Sequence, residues 1–174
     1  TSLRLIANSA ERSARMVSQM LALSRAENLR EAVPFEKLDL VKMSREVVGD
    51  WVPNALGAGI DLGFENLSTD ALIEANPVLV REALINLIDN ALRHTTAGCS
   101  VTVRVFSAAD LQIVEVEDGG SGIDVADQQR IFDRFYRVQD STEGSGSGLG
   151  LSIVREIAEQ HGASITVTSP VPDP

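Results

Sequence analysis

The sequence is poor in the residues on which several common chemistries depend. It has one cysteine, Cys99, which excludes an intramolecular disulfide and any metal site built from several cysteines. Its two histidines, His94 and His161, form no HExxH pair, so a zinc hydrolase is not expected. Neither of its two lysines, Lys37 and Lys42, follows a glycine, so there is no Walker A loop.

Long apolar runs and an excess of positive charge are also missing. No stretch approaches the roughly 20 apolar residues needed to cross a bilayer, and no signal peptide opens the sequence. A net charge of −10 argues against a nucleic-acid partner held by a general basic field. An acidic protein can still hold an anion locally, at a loop or a helix terminus. Because the sequence opens at Thr1 within a helical pattern, we expect a piece of a longer protein, with any membrane anchor upstream.

The first part of the chain reads as one long helix. Residues 2–27 contain no glycine or proline and are rich in good helix formers. Small or apolar side chains recur there at a spacing typical of a helix packed lengthwise on another: Leu3, Ile6, Ala10, Ser13, Val17, Met20 and Ser24. An ordinary amphipathic helix docked on its own domain shows the same pattern, so both arrangements stay open. Pro34 ends the pattern and leaves residues 28–35 as a linker.

Strands and helices then intermix. The patterns predict strands at Glu36–Leu40, Ile60–Glu65, Ala71–Ala75, Ser100–Ser107, Leu111–Glu117 and Ala163–Thr168. They predict helices at Val41–Leu56, Asn76–His94, Val125–Phe135 and Gly148–His161, with Pro53 expected to end or kink the first of these early. Because the order is not a strict βαβ alternation, it favours an α+β fold with a mixed sheet.

One helix carries an unusual polar face. Glu82, Asn86, Asn90 and Arg93 are spaced 4, 4 and 3 residues apart, which puts them on one side of the helix. Asparagine is unfavourable inside helices, so two of them one turn apart call for a reason. An amide oxygen suits Mg²⁺ and a neighbouring arginine suits phosphate, although a solvated polar face explains the same residues.

Two glycine-rich segments follow. The first, Glu117–Ile123, ends a strand, where Asp118 can accept a hydrogen bond from an exocyclic amino group while the glycines admit a flat ring; a tight turn explains it nearly as well. The second, Gly144–Ile153, has four glycines at alternate positions and runs into a helix, whose N-terminus attracts anions. A flexible linker is the alternative for this segment. Its spacing does not match the GxGxxG of dinucleotide-binding folds.

Taken in order, these segments resemble the nucleotide-binding domain of sensor histidine kinases, in the ATPase superfamily that includes gyrase and MutL (the GHKL or Bergerat group). The polar helix is similar to the family's N box, and EDGGSGI and GSGSGLGLSIVREIAEQHG are similar to its two glycine boxes. IFDRFYR, residues 131–137, is similar to its F box. The likeness covers about residues 36–168. Residues 2–27 resemble the second helix of the dimerisation and histidine phosphotransfer hairpin.

The resemblance implies an architecture and a set of site residues. The fold would be a two-layer α/β sandwich with a mixed sheet covered by helices, preceded by one long helix. Residues 1–31 would belong to the hairpin, and residues 32–174 to the ATP-binding domain, with its usual last strand missing. Asn90 would hold Mg²⁺, while the catalytic residues would be Asn86, Arg93 and Arg137. The nucleotide would lie against Asn86, Asn90, Arg93, His94, Asp118, Gly120, Gly122, Ile123, Gly146, Ser147, Gly148, Leu149 and Gly150, beneath a lid at about residues 138–147.

The implied function is that of a protein-histidine kinase fragment. It would transfer the γ-phosphoryl of Mg-ATP to a histidine that this chain lacks, for relay to an aspartate of a response regulator, within a phosphoprotein of two-component signal transduction. Further expectations are a homodimer through residues 2–27, no nucleic-acid partner, and a location in the cytoplasmic portion of a bacterial inner-membrane protein. A hydrolytic ATPase is an alternative, although such enzymes place a glutamate base where Asn86 lies. A degenerate nucleotide-sensing module that dimerises through residues 2–27 is another.

Two residues depart from the family's first glycine box, which is commonly DNGPGI. Gly119 replaces the usual asparagine, and Ser121 replaces the usual proline.

Overall fold

The structure is a computed structural model that describes residues 34–138 and 147–169. The helix predicted over residues 2–27, residue Gly146 and most of the predicted lid lie outside these ranges. The domain boundary between residues 31 and 32 therefore stays a prediction.

Strands and helices intermix along the described residues, as predicted. In chain order the elements are β1 (Glu36–Asp39), α1 (Leu40–Ala58), β2 (Asp61–Asn66), β3 (Leu72–Ala75), α2 (Pro77–His94), β4 (Ser100–Ala108), β5 (Leu111–Asp118), α3 (Val125–Gln128), a 3-10 turn (Arg130–Phe132) and α4 (Gly150–Gln160). Among these residues, no helix is both long enough and apolar enough to span a membrane.

The two long helices begin at side chains that cap them. The Asp39 carboxylate accepts a hydrogen bond from a backbone N–H in the first turn of α1, and Gly59, at φ 70°, ends that helix. The Asn76 side chain accepts hydrogen bonds from the backbone N–H groups of Val78 and Leu79, at 3.0 and 3.2 Å. These caps satisfy donors that a helix start leaves unpaired, so the sequence fixes where both helices begin.

The strands form one mixed sheet and one separate pair. β4 is the middle strand of the mixed sheet, parallel to β2 and antiparallel to β5. β1 pairs antiparallel with β3 in the second ladder. Val101, Val103 and Val105 of β4 alternate onto one face and are fully buried, whereas Arg104 lies on the opposite face.

Helices cover the buried face of the sheet. Val47 and Val48 of α1 and Leu84 and Ile88 of α2 form one apolar cluster with Val103 of β4. The opposite face carries Arg104 of β4, which makes ion pairs with Glu65 of β2 and with Glu115 and Glu117 of β5. The α+β fold with helices layered on a mixed sheet is therefore confirmed.

The last helix packs on α2 and not on the sheet. Leu149, Ile153 and Ile157 form a second apolar cluster with Leu79 of α2. This packing fixes the start of α4 beside the polar face of α2.

The prediction that Pro53 ends or kinks α1 early is wrong. The helix continues through Pro53 to Ala58, although an internal proline removes a hydrogen bond to the residue four positions earlier, here Gly49. Buried side chains on both sides of the proline, Val48 and Ala55, hold the helix against the fold. Tertiary packing outweighs the local preference here.

Two further predictions of secondary structure are wrong. The helix expected over Val125–Phe135 is only the four-residue α3 and a 3-10 turn, because Asp133 leaves the helical conformation and Phe135 has φ 65°. The segment Ala163–Thr168 forms no ladder with any described strand. A segment with strand-forming residues is a strand only where a neighbour takes up its backbone hydrogen bonds.

Candidate functional site

The polar face of α2 lies beside the start of α4. Asn86 is 7% exposed, and its Nδ2 donates to the Glu82 carbonyl at 2.8 Å and to Glu82 Oε1 at 3.3 Å. A Cβ added to Gly150 would lie 3.2 Å from Asn86 Oδ1. Asn86 therefore lies at the junction between the two helices, where a side chain at residue 150 would require the Asn86 amide to move by a few tenths of an ångström.

The remaining polar residues continue along the same face toward the end of α2. Asn90 lies one turn beyond Asn86 and is half-buried. Arg93 Nε lies 2.7 Å from Asp89 Oδ2, an ion pair across one helical turn. Two basic residues, Arg93 and His94, close α2, where they complement the helix dipole.

The glycine turn after β5 is pressed against the end of α2. A Cβ at Gly120 would lie 2.6 Å from the His94 carbonyl oxygen and 2.6 Å from Asp118 Oδ1. The Gly120 N–H also donates to Asp118 Oδ1 at 2.9 Å. Among the described residues, Asp118 Oδ2 has no hydrogen-bond partner, so this exposed oxygen can accept from a ligand.

The second half of the glycine turn is fixed by the backbone conformation of Gly122 and by a hydrogen bond from Ile123. Gly122 has φ 79°, a conformation that favours glycine, and the Ile123 N–H donates to Ser169 Oγ at 2.6 Å. A Cβ at Gly119 would lie 3.1 Å from the Cβ of Cys99. A side chain at residue 119 would therefore require Cys99 to move by a few tenths of an ångström.

A third glycine is enclosed by the chain that follows α3. Gly148 has φ 71°, and a Cβ there would lie 2.7 Å from the backbone carbon and 2.8 Å from the Cα of Phe135. The Phe135 N–H donates to the Gly148 carbonyl at 2.8 Å. Phe135 itself has φ 65°, an uncommon conformation for a residue with a side chain. The contact with Gly148 therefore holds Phe135 in a conformation that it would otherwise avoid, whereas Gly148 adopts its own left-handed conformation readily.

The N-terminus of α4 opens onto this junction. No side chain caps the helix, which begins at Gly150 after the fully buried Leu149. The Ser147 hydroxyl accepts a hydrogen bond from the Leu149 N–H at 3.2 Å, just outside the helix. An uncapped helix start presents backbone N–H groups and a positive partial charge to an anion.

The segment that resembles an F box is braced on both sides. The Tyr136 hydroxyl bonds to the Asp127 carboxylate, and the Arg130 guanidinium lies 4.3 Å from the centre of the Tyr136 ring. The bond to Asp127 raises the pKa of Tyr136. Toward α4, Asp133 lies 3.4 Å from Arg155. Arg137, predicted as a phosphate contact, lies exposed at the end of this segment.

The described arrangement thus brings together residues that are far apart in the sequence. Gly120 brings the glycine turn against the end of α2, Gly150 brings the start of α4 against Asn86 in the middle of α2, and Gly148 lies against the backbone of Phe135. The sequence profile of the family described as histidine kinase-, DNA gyrase B-, and HSP90-like ATPase matches residues 75–173, which is more than half of the chain. The chain belongs to this ATPase family.

Relatives of this ATPase domain are sensor proteins. The sensor protein IrlS of Burkholderia pseudomallei is 37% identical over 161 residues, which cover 91% of this chain and 34% of IrlS. The chain spans about a third of the length of the curated relatives it matches.

Solved structures show the same fold. Full-length ShkA in complex with AMPPNP is 27% identical, with a TM-score of 0.73 over 89% of this chain and 32% of ShkA. Histidine kinase ThkA in complex with the response regulator protein TrrA is 26% identical, with a TM-score of 0.71 over 91% of this chain and 43% of that one. The chain is thus similar to the ATP-binding domain of sensor histidine kinases.

Some residues that shape this ATPase site were not predicted from the sequence. Asp127 fixes Tyr136, and the backbone of Phe135 encloses Gly148. No sequence signal marks the positive φ of Phe135. Asp127 is recognisable in the sequence as an acidic residue in a helical turn, but the sequence does not show that Tyr136 is its partner. His161 lies at the far end of α4, as the sequence suggested, with both ring nitrogens engaged.

Proposed function

We propose that this ATPase domain binds Mg-ATP between the end of α2, the glycine turn and the start of α4, and that it transfers the γ-phosphoryl group to a histidine outside this chain. One observation carries the proposal. A Cβ at Gly120 or Gly150 would lie 2.6 or 3.2 Å from neighbouring atoms, so Gly120 holds the glycine turn against the end of α2 and Gly150 holds the uncapped start of α4 beside Asn86 on the polar face of that helix.

The glycine turn supports adenine binding. Asp118 Oδ1 is held by the Gly120 N–H, which leaves Oδ2 to accept from the adenine amino group. Gly120, Gly122 and Ile123 would line the base, and His94 would lie at the edge of the pocket.

The residues present also fit a magnesium ion held largely by phosphates. The described residues contain no cluster of three His, Cys, Asp or Glu side chains that could hold a metal. Asn90, half-buried and one turn from Asn86, offers a single neutral oxygen. Mg²⁺ keeps most of its ligands as water and substrate phosphate, so one protein oxygen suffices, and the ion neutralises phosphate charge.

The start of α4 supports phosphate binding. Its free backbone N–H groups, with Ser147, Gly148, Leu149 and Gly150, would cradle the phosphates, and Arg93 and Arg137 would add positive charge. An unprotonated imidazole nitrogen then attacks the γ-phosphorus in line, and the bond from phosphorus to the ADP oxygen breaks as the new N–P bond forms. Positioning of the phosphates supplies most of the rate.

The structure disfavours a hydrolytic ATPase. Hydrolysis needs a base that activates water, and an asparagine amide cannot take a proton. Asn86 is also buried, with its nitrogen bonded to Glu82 and its oxygen facing Gly150. A degenerate sensing module is disfavoured because the close glycine approaches are all intact.

The wider setting is part of the same proposal. The response regulator bound to ThkA supports a response regulator as the partner that receives the phosphoryl group. The names of the bacterial relatives support a sensor kinase as the longer protein. A place in the cytoplasmic portion of an inner-membrane protein and dimerisation through residues 2–27 are parts of the proposal that rest on the resemblance of the sequence alone.

The test uses γ-labelled ATP with Mg²⁺. The chain alone should stay unlabelled, because both ring nitrogens of His161 are bonded and His94 lies on the site helix. Adding a protein that carries the family's acceptor helix should give acid-labile label on that protein. Asp118→Ala should abolish this transfer, whereas Asp110→Ala, in the β4–β5 turn, should not. Release of labelled phosphate with no labelled acceptor would instead assign hydrolysis, and label on the chain alone would assign an acceptor within it.

A further inference from the structure

Three separate segments meet at the ring of His161. Its Nε2 accepts a hydrogen bond from the Asn76 backbone N–H at 3.0 Å, and its Nδ1 lies 2.7 Å from the Ile157 carbonyl oxygen. The ring of Phe35 stacks on it, with centroids 4.7 Å apart and planes at 19°. His161 therefore joins the end of α4, the start of α2 and the chain just before β1.

These contacts fix the tautomer of the ring. A backbone N–H can only donate and a carbonyl oxygen can only accept, so Nδ1 carries the proton and Nε2 does not. Two hydrogen bonds to backbone from different helices also fix the plane of the ring. The stacking surface that His161 offers to Phe35 is therefore rigid.

Phe35 stands where the preceding chain joins the domain. Glu36 pairs with Ala75 in the β1–β3 ladder, which puts Phe35 level with Asn76. Its side chain is 49% exposed, so the stack on His161 covers part of a large apolar ring. Pro34, directly before it, restricts the backbone further.

The same helix connects this stack to the proposed phosphate site. α4 has 11 residues, about 16 Å of helix, with Gly150 at its start and His161 directly after its end. It is packed along α2 through Leu149, Ile153 and Ile157. The position at which the preceding chain joins the domain is thus fixed relative to α4, the helix that would hold the phosphates.

We propose that Phe35 and His161 form an anchor that fixes where the preceding chain leaves the ATP-binding domain, and that Phe35 is a positioning residue for phosphoryl transfer. The anchor acts through geometry, since neither Phe35 nor His161 is among the residues proposed to contact the nucleotide. The transfer part of the proposal rests on the proposed function, whereas the stack itself does not.

The test compares variants of the intact protein that carries this chain and its acceptor helix. Phe35→Ala should leave the KM for ATP within about twofold and lower kcat of histidine phosphorylation by about ten- to a hundredfold, as small misplacements of reacting groups do. Phe35→Tyr and Phe35→Trp, which keep a stacking ring, should restore kcat. Leu56→Ala, an exposed apolar residue on α1 (71% exposed), is the matched control and should change neither constant.

A spectroscopic arm tests the anchor without ATP. The ¹⁵N chemical shifts of His161 should show the Nδ1-protonated tautomer. Phe35→Ala should remove the ring-current shift of the proton on Cε1 of His161 and leave the tautomer unchanged. Loss of the ring-current shift with an unchanged kcat would overturn the positioning role while ATP binding and transfer still stand. A wild-type protein that neither binds ATP nor labels would overturn the proposed function instead, and an unshifted His161 proton would overturn the anchor.

Discussion

Single glycines determine how closely the parts of the site approach one another. Gly148 and Gly162 share a left-handed backbone, with φ 71° and 62°. Only Gly148 is enclosed, since nothing lies within 4 Å of a Cβ at Gly162. Comparing the two glycines therefore separates the effect of a left-handed backbone from the effect of close packing around the residue.

Alanine at these two positions should therefore have different effects. Gly162→Ala should lower the free energy of unfolding by about 1 to 2 kcal/mol, the strain of a left-handed alanine. Gly148→Ala adds a clash with the backbone of Phe135, so it should lower the free energy of unfolding further and weaken ATP binding at least tenfold. Urea unfolding and ATP calorimetry measure the two effects. Equal losses of stability and unchanged ATP affinity would contradict the enclosure of Gly148.

The role proposed for Asn90 predicts dependence on the metal. Asn90→Ala should lower the affinity for Mg-ATP by about tenfold, the usual effect of losing one hydrogen bond or ligand to a charged group. It should change the affinity for metal-free ATP little. Calorimetry with Mg²⁺ and with a chelator compares the two. Asn54→Ala, on the exposed side of α1, is the control. Equal losses in both titrations would place Asn90 against the base or sugar.

At the scale of elements, α2 serves the core and the site at once. Leu84 and Ile88 pack toward the sheet, while Asn86 and Asn90 line the other side. The segment after α3 is instead held by side-chain pairs, above all Tyr136 with Asp127 and Arg130. These pairs can be tested separately from the nucleotide.

Tyr136 is the sole tyrosine of the chain, so its titration can be followed directly. The hydrogen bond to Asp127 raises its pKa above the usual value of 10.0, and Arg130 opposes this. The protonated phenol is favoured in the folded state, so its stabilisation is complete below pH 10.0 and is lost as the pH rises through the higher folded pKa.

Near-ultraviolet absorbance of tyrosinate should show the contributions to this shift. Asp127→Ala should move the titration down toward the usual value, and Arg130→Ala should move it up, because each removes one of the two opposing effects. Asp110→Ala should leave it in place. A titration that Asp127→Ala does not move would mean that the phenol is not held by this carboxylate.

The sequence predicts where helices and strands lie better than it predicts which of them pack or pair together. Asn76 and Pro77 mark the start of α2 because a cap and a proline act locally. The pairing of β2 with β4, and not with the neighbouring β3, joins segments far apart in the sequence, and the local pattern of a strand does not name its partner. The same limit applies to the site: its polar residues form recognisable patterns, but the contact of Gly120 with the end of α2 exists only after folding.

At the scale of the whole molecule, α2 links the apolar cluster on the sheet with the apolar cluster on α4. It contributes Leu84 and Ile88 to the core on the sheet and Leu79 to the cluster with α4. A ligand between α2 and α4 therefore stabilises both parts together.

Mg-ATP should raise the stability of the folded chain by mass action. At a hundred times its Kd, ATP should add about 2.7 kcal/mol to the free energy of unfolding, and Tm should rise by about 5 to 10 °C. Asp118→Ala should remove this increase and leave the ligand-free Tm nearly unchanged, because Asp118 is exposed. Thermal unfolding scans with and without Mg-ATP measure this rise in Tm. An ATP-dependent rise that survives in Asp118→Ala would remove this residue from the site.

The parallel pairing of β2 with β4 has a consequence for the chain as it leaves the ribosome. About 33 residues separate Asn66 from Ser100, so at about 5 to 20 residues per second β2 emerges roughly 2 to 7 s before its partner begins to appear. β1 and β3 can already pair during that interval. β2 meanwhile presents unpaired backbone groups, the kind of edge on which nascent chains aggregate. The interval in which this domain most needs a chaperone is therefore the synthesis of α2, the same helix that we propose carries the nucleotide site.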